Sequence, residues 1–129
     1  MIFDELPGNA TTETQAIRIE ARPLEACIVL DLHGDQFTYP YTSSLKTHVE
    51  TLIEQGHSKF VLNFSDIKMV DSFGLATILS AMKLARAAGG NLALCGVSEA
   101  VEKLVKLTHL ERVLDIWPNE SQAAYYLSN

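Results

Sequence analysis

The feature that most constrains this chain is a repeated change of hydrophobic period. Short apolar runs that suit strands alternate with longer stretches whose apolar residues recur at helical spacing. The change is sharpest around residues 60–79. Phe60-Val61-Leu62-Asn63-Phe64 reads as a buried strand, and Leu75, Ile78, Leu79 and Met82 then mark one face of a helix. Between them, Val70-Asp71-Ser72-Phe73-Gly74 puts a serine where that helix should begin. A helix start offers backbone N–H groups without intrahelical partners and the positive end of the dipole. A phosphate carried there would be held by those donors. Ser is also a favoured N-cap, worth about 1 kcal/mol, so a capping role for Ser72 stands beside a phosphorylation switch.

The same alternation orders the rest of the chain. Ile17, Ile19 and Ala21 fall on one face of residues 15–22, which predicts a half-buried strand. Residues 22–25 read as a connection and residues 26–32 as a central, nearly continuous apolar strand. So short a connection predicts an antiparallel pair. Residues 33–37 break the pattern, and Tyr39-Pro40-Tyr41 sets the entry into a helix over 41–55, with a binding role as the lesser reading. Leu45, Val49, Leu52 and Ile53 mark the inner face of that helix, and Gly56 its stop.

After a loop at 65–68, a second helix runs from Ser72 to Gly89-Gly90, and residues 91–95 form a strand. Ser98 caps a third helix with Val101, Leu104 and Val105 inward. Residues 113–116 form a short strand, and Pro118-Asn119 opens a last helix over 120–127, packed through Ala123, Ala124 and Leu127. The order β-β-α-β-α-β-α-β-α predicts a single α/β domain, with a mixed, mostly parallel sheet of about five strands and about four helices. Residues 1–14, polar and punctuated by Pro7-Gly8-Asn9, are expected to be a flexible arm ahead of a domain spanning 15–129.

Composition narrows the function. A chain of 129 residues, 47% apolar, has enough material for one real core. Its net charge is −6 and its Lys and Arg residues are scattered, which disfavours nucleic acid and anionic membrane as partners. The acidic start, Met1-Ile2-Phe3-Asp4-Glu5, does not read as a signal peptide. No run reaches the roughly 18 apolar residues of a membrane span, so a cytoplasmic location is expected. Cys27 and Cys95 lie in separate apolar runs and read as reduced core residues.

Catalytic patterns are missing. His33, His48, His57 and His109 form no metal-binding motif, and Gly89-Gly90 belongs to no phosphate-binding loop. Val70 stands where a nucleophile elbow needs its first glycine. No catalytic residue, cofactor or metal site is therefore expected, and the chain reads as a binding protein rather than an enzyme.

The second helix carries a further stripe, Phe73, Thr77, Ser80 and Leu84, beside its core face. Phe73 next to Ser72 suits an aromatic docking anchor, although ordinary packing against a loop would use the same residue. Asp35 either shapes its loop or helps to orient a phosphoryl group.

From about residue 15 to its end the chain resembles the STAS domain of anti-sigma factor antagonists. The resemblance is carried chiefly by Asp71-Ser72-Phe73-Gly74-Leu75 after an apolar strand. Ala87-Ala88-Gly89-Gly90 followed by Asn91-Leu92-Ala93-Leu94, and Leu104-Val105-Lys106-Leu107-Thr108-His109-Leu110, are similar too. The resemblance implies that Ser72 is phosphorylated by a kinase-type anti-sigma factor. It implies that the unphosphorylated form sequesters that kinase, and that a protein phosphatase resets the switch. The partner surface would comprise Asp71, Phe73, Gly74 and Thr77 with the loop from Asp35 to Phe37. Family members often carry an Asp three residues after the glycine that ends the second strand; here Phe37 stands there, and Asp35 is the acidic residue nearby. That departure keeps a rival open, a STAS scaffold subunit of a signalling or transporter-associated complex whose Ser72 is never phosphorylated.

Overall fold

The computed structural model describes residues 17–129. The expected arm at 1–14 lies outside the described residues. Strands β1 (Arg18–Leu24) and β2 (Cys27–His33) form a hairpin, and the two-residue strand β3 (Gln36–Phe37) follows. Then come α1 (Ser43–Glu54), β4 (Lys59–Asn63), the two-residue β5 (Met69–Val70) and α2 (Ser72–Ala87). The chain continues through β6 (Asn91–Cys95), α3 (Glu99–Leu107), a 3-10 turn (Leu110–Arg112), β7 (Asp115–Trp117) and α4 (Glu120–Ser128).

The main sheet has the order β1-β2-β4-β6-β7. Its hairpin is antiparallel, and every other neighbour pair is parallel. The expected mixed, mostly parallel five-stranded sheet is therefore present. Strand alternation sorts the side chains between two faces. Leu30, Phe60, Leu62, Leu92 and Leu94 pack under α1, α2 and α3, whereas Val29, Val61, Ala93 and Cys95 pack under α4. Among the described residues, three helices thus share one face and one short helix lies on the other. Each fully buried large apolar side chain contributes about 1.5–3 kcal/mol.

Local differences from the sequence expectations have identifiable causes. β1 runs on through Pro23 to Leu24 instead of stopping at residue 22. β1 is an edge strand, where a missing N–H costs no interior ladder bond. The hairpin closes through Glu25, whose φ is 55°. The last strand begins at Asp115, because residues 110–112 form a 3-10 turn. At Gly90 an added Cβ would meet the Ser58 carbonyl oxygen at 1.8 Å, so this glycine lets the α2–β6 connection pass against the start of β4.

The pair β3–β5 was not visible in the sequence. It is a separate parallel ribbon, with Gln36 opposite Met69 and Phe37 opposite Val70. It lies past the carboxyl ends of β2 and β4, the end of a parallel sheet where sites usually form. This ribbon delivers the chain to the start of α2.

Candidate functional site: the start of α2

Asp71 follows β5 with an extended backbone (φ −104°, ψ −175°) and is the N-cap of α2. Its Oδ1 accepts the Gly74 N–H at 2.8 Å, and its Oδ2 accepts the Tyr39 N–H at 2.9 Å. Ser72 is the first helical residue and is exposed. The capping role considered for Ser72 is thus filled by Asp71. The reason is geometric: the cap needs an extended backbone with its side chain turned back on the third helical N–H, and only Asp71 has both. Among the described residues, the N–H groups of Ser72 and Phe73 have no acceptor. The Ser72 hydroxyl therefore stands in solvent at the positive end of the helix.

The expected partner residues divide into a surface and a floor. Phe73 is 56% exposed, and its ring lies 5.0 Å from that of Tyr39, itself 66% exposed. Met69 on β5 is also exposed. Asp35 is exposed, with its carboxylate 4.0 Å from Lys68 Nζ and its carbonyl accepting the Lys68 N–H at 2.7 Å. Thr77 is half-buried and donates its hydroxyl to the Phe73 carbonyl at 2.9 Å.

Phe37 and Gly74, by contrast, are buried, which corrects their expected place on the partner surface. Phe37 is fully enclosed and meets Phe64 edge to face, with centroids 5.9 Å apart. A Cβ on Gly74 would sit 2.4 Å from the Phe37 carbonyl oxygen. Glycine is needed there so that α2 can rest on β3. These two residues carry the site from below.

Sequence reasoning placed Tyr39 at the entry to α1, with a binding role only as the lesser reading, and did not single out the polar group on the α4 face. In that group Asp31, Asn63 and Cys95 stand in register across β2, β4 and β6. Arg22 Nε donates to Asp31 at 2.6 Å, Asn63 Nδ2 donates to Asp31 at 2.7 Å, and the Arg22 guanidinium also bonds Glu120 of α4. The Arg22 bonds, helped by Asn63, hold the Asp31 carboxyl below the usual carboxylate range even though burial opposes it. The sequence signal was one charged residue inside an apolar strand.

Glu20, Asp31 and His33 bring metal-type ligand atoms within 4.8 Å of one another. Both Asp31 oxygens are already used, and the His33 ring nitrogens face Glu20 at 3.1 Å and Asp66 at 3.4 Å. The grouping is a set of polar side-chain contacts that ties the hairpin to the β4–β5 loop. Burial pushes the Cys95 thiol up to about 11, and Cys27 is raised by burial too; both are free thiols. Among the described residues, no helix is long and apolar enough to cross a membrane.

Comparison with known proteins gives a consistent result. The family model described as the STAS domain matches residues 18–123. A Thermotoga maritima protein described as a candidate anti-sigma factor antagonist is 34% identical over 74 residues, which is 57% of this chain and 66% of that relative's length. The anti-sigma F factor antagonist of Paenibacillus polymyxa is 25% identical over 108 residues, covering 83% of this chain and 92% of that one. A crystal structure from Thermotoga maritima, also described as a candidate anti-sigma factor antagonist, superposes with a TM-score of 0.76 at 25% identity. It covers 86% of this chain and 95% of the other.

Proposed function

Because the chain belongs to the STAS domain family, we propose that it is an anti-sigma factor antagonist whose binding is switched at Ser72. Unphosphorylated, it sequesters a kinase-type anti-sigma factor. That partner phosphorylates Ser72, and a protein phosphatase restores the hydroxyl. The protein is then the substrate of a phosphoryl transfer and not its catalyst.

One observation carries this reading. The Ser72 hydroxyl is exposed at a helix start, where the backbone tolerates an anion, beside the exposed rings of Tyr39 and Phe73. A phosphate adds about −1.5 to −2 charges and three acceptor oxygens. At this place the fold accepts that charge, while a partner packed over the rings meets repulsion and a desolvation cost. Phosphorylation therefore changes binding far more than folding. Asp35 and Thr77 border the same surface and are proposed to be its polar contacts, while Asp71, whose two oxygens are held by Gly74 and Tyr39, is proposed to shape the surface from within the chain.

The test is incubation of the chain with its anti-sigma factor and ATP, followed by intact-mass measurement. One phosphoryl group on the wild type and none on Ser72→Ala is expected. A buried Phe37, where family members often carry an acidic residue, favours the scaffold-subunit reading as the rival. An unmodified Ser72 with partner binding retained in the same assay would select it.

A further inference from the structure

The Asp71 carboxylate does two separable jobs. Oδ1 caps α2 through the Gly74 N–H at 2.8 Å. Oδ2 accepts the Tyr39 N–H at 2.9 Å, a bond that spans 32 residues of sequence. This second bond ties the connection between β3 and α1 to the helix start, where the Tyr39 ring lies 5.0 Å from Phe73 with the planes tilted by 41°. Both rings are mostly exposed, so core packing does little to hold them together. Resting on the switch reading above, we propose that Tyr39 and Phe73 form a single two-ring docking anchor assembled by Asp71, and that negative charge on Ser72 takes it apart.

A phosphate at the first helical position is drawn to the unpaired N–H groups of Ser72 and Phe73 and to the positive helix end. Asp71 already holds that end with a charge of the same sign. The two anions repel, and the half-buried carboxylate, with the smaller charge, gives way. Its Oδ2 leaves the Tyr39 N–H, which then bonds water, and Tyr39 is released from Phe73. The core is untouched, because Phe37, Phe64 and the close contact at Gly74 lie beneath the anchor and do not depend on the Asp71–Tyr39 bond. The partner then loses a preassembled aromatic contact as well as meeting a charge.

Asp71→Asn separates the two jobs. Its amide oxygen still accepts from Gly74, and Asn caps as well as Asp. Its NH2 group, turned to Tyr39, is a donor and cannot accept that N–H. The experiment measures hydrogen exchange at the Tyr39 amide in the full chain, for the wild type, Ser72→Glu and Asp71→Asn, together with affinity for the anti-sigma factor. Tyr39 exchange is expected to quicken by about tenfold or more in both variants. Asp71→Asn, which adds no charge, is expected to weaken binding by about tenfold with an unchanged melting temperature. A Tyr39 amide as protected in Ser72→Glu as in the wild type overturns the proposal, as does wild-type affinity in Asp71→Asn. The exchange measurement needs neither kinase nor partner. A Ser72 that is never phosphorylated would therefore sink the switch reading while the Tyr39 amide still judged the anchor.

Discussion

Two polar regions of this domain are built on opposite plans. On the α4 face, Arg22, Asp31, Asn63 and Glu120 are bonded to one another across the sheet, and the central residue, Asp31, is 8% exposed. Its acceptors are used internally, so the group can do little except hold β1, β2 and α4 together. At the start of α2 one carboxylate is spent on local bonds, and the neighbouring hydroxyl, two N–H groups and two aromatic rings are left facing water. A closed network supplies stability and an open one supplies a site. The difference separates polar residues that are satisfied within the fold from those left free to meet a partner.

The contrast can be tested from its largest expected effect to its smallest. Phe37 lies under the open region but belongs to the core. Phe37→Ala should cost about 3–5 kcal/mol in denaturant unfolding. A cost near zero would mean that the floor of the site is as loose as its surface.

Next, Asp31→Ala should cost about 1–3 kcal/mol, toward the lower end because the Arg22 side chain is 40% exposed and water can replace part of the lost bonding. The pH dependence has a definite sign. The folded-state value for Asp31 lies below its ordinary 3.8. Its contribution is therefore complete above that ordinary value and is lost as pH falls through the lower folded value. Wild type and Asp31→Ala should converge in stability on acidification in that range. Divergence there would break the assignment of a closed network.

At the open region the two adjacent residues should behave differently. Asp71→Ala should cost about 1 kcal/mol for the lost cap, whereas Ser72→Ala should stay within about 0.5 kcal/mol of the wild type. The reverse order would return the cap to Ser72. The smallest effect concerns chemistry alone. With its value at about 11, Cys95 should remain a protonated thiol and resist alkylation near pH 8 until the chain is unfolded. Rapid modification of the folded protein would show that the α4 face opens.

The layers of the fold were legible because burial imposes period. Residues 60–64 and 91–95 and the apolar face of α2 carry that period plainly, and the glycines at 56 and 89 end helices as expected, with φ of +100° and +92°. The β3–β5 ribbon was not legible, since two residues per strand hold no period. Pro23 concealed the end of β1, because a proline signals a break unless the strand is known to be an edge. At the site, Ser72 and Phe73 stood out by type and position. The choice of Asp71 over Ser72 as the cap depends on one backbone angle that two adjacent capping residues leave open. Phe37 was read as surface because its loop was taken to be irregular, whereas strand pairing turns its ring inward. Tyr39 reaches the site through a single backbone N–H, a contact that no spacing rule reveals.

The central claim is that charge at residue 72 changes what this surface binds without changing how the chain folds. The most direct measurement is the affinity of the proposed anti-sigma factor partner for wild type and Ser72→Glu, taken together with the melting temperature of each. The account predicts an affinity loss of about tenfold or more, equivalent to about 1.4 kcal/mol, with superimposable melting curves. Equal affinity, or a loss of binding that simply follows a lowered melting temperature, would contradict it.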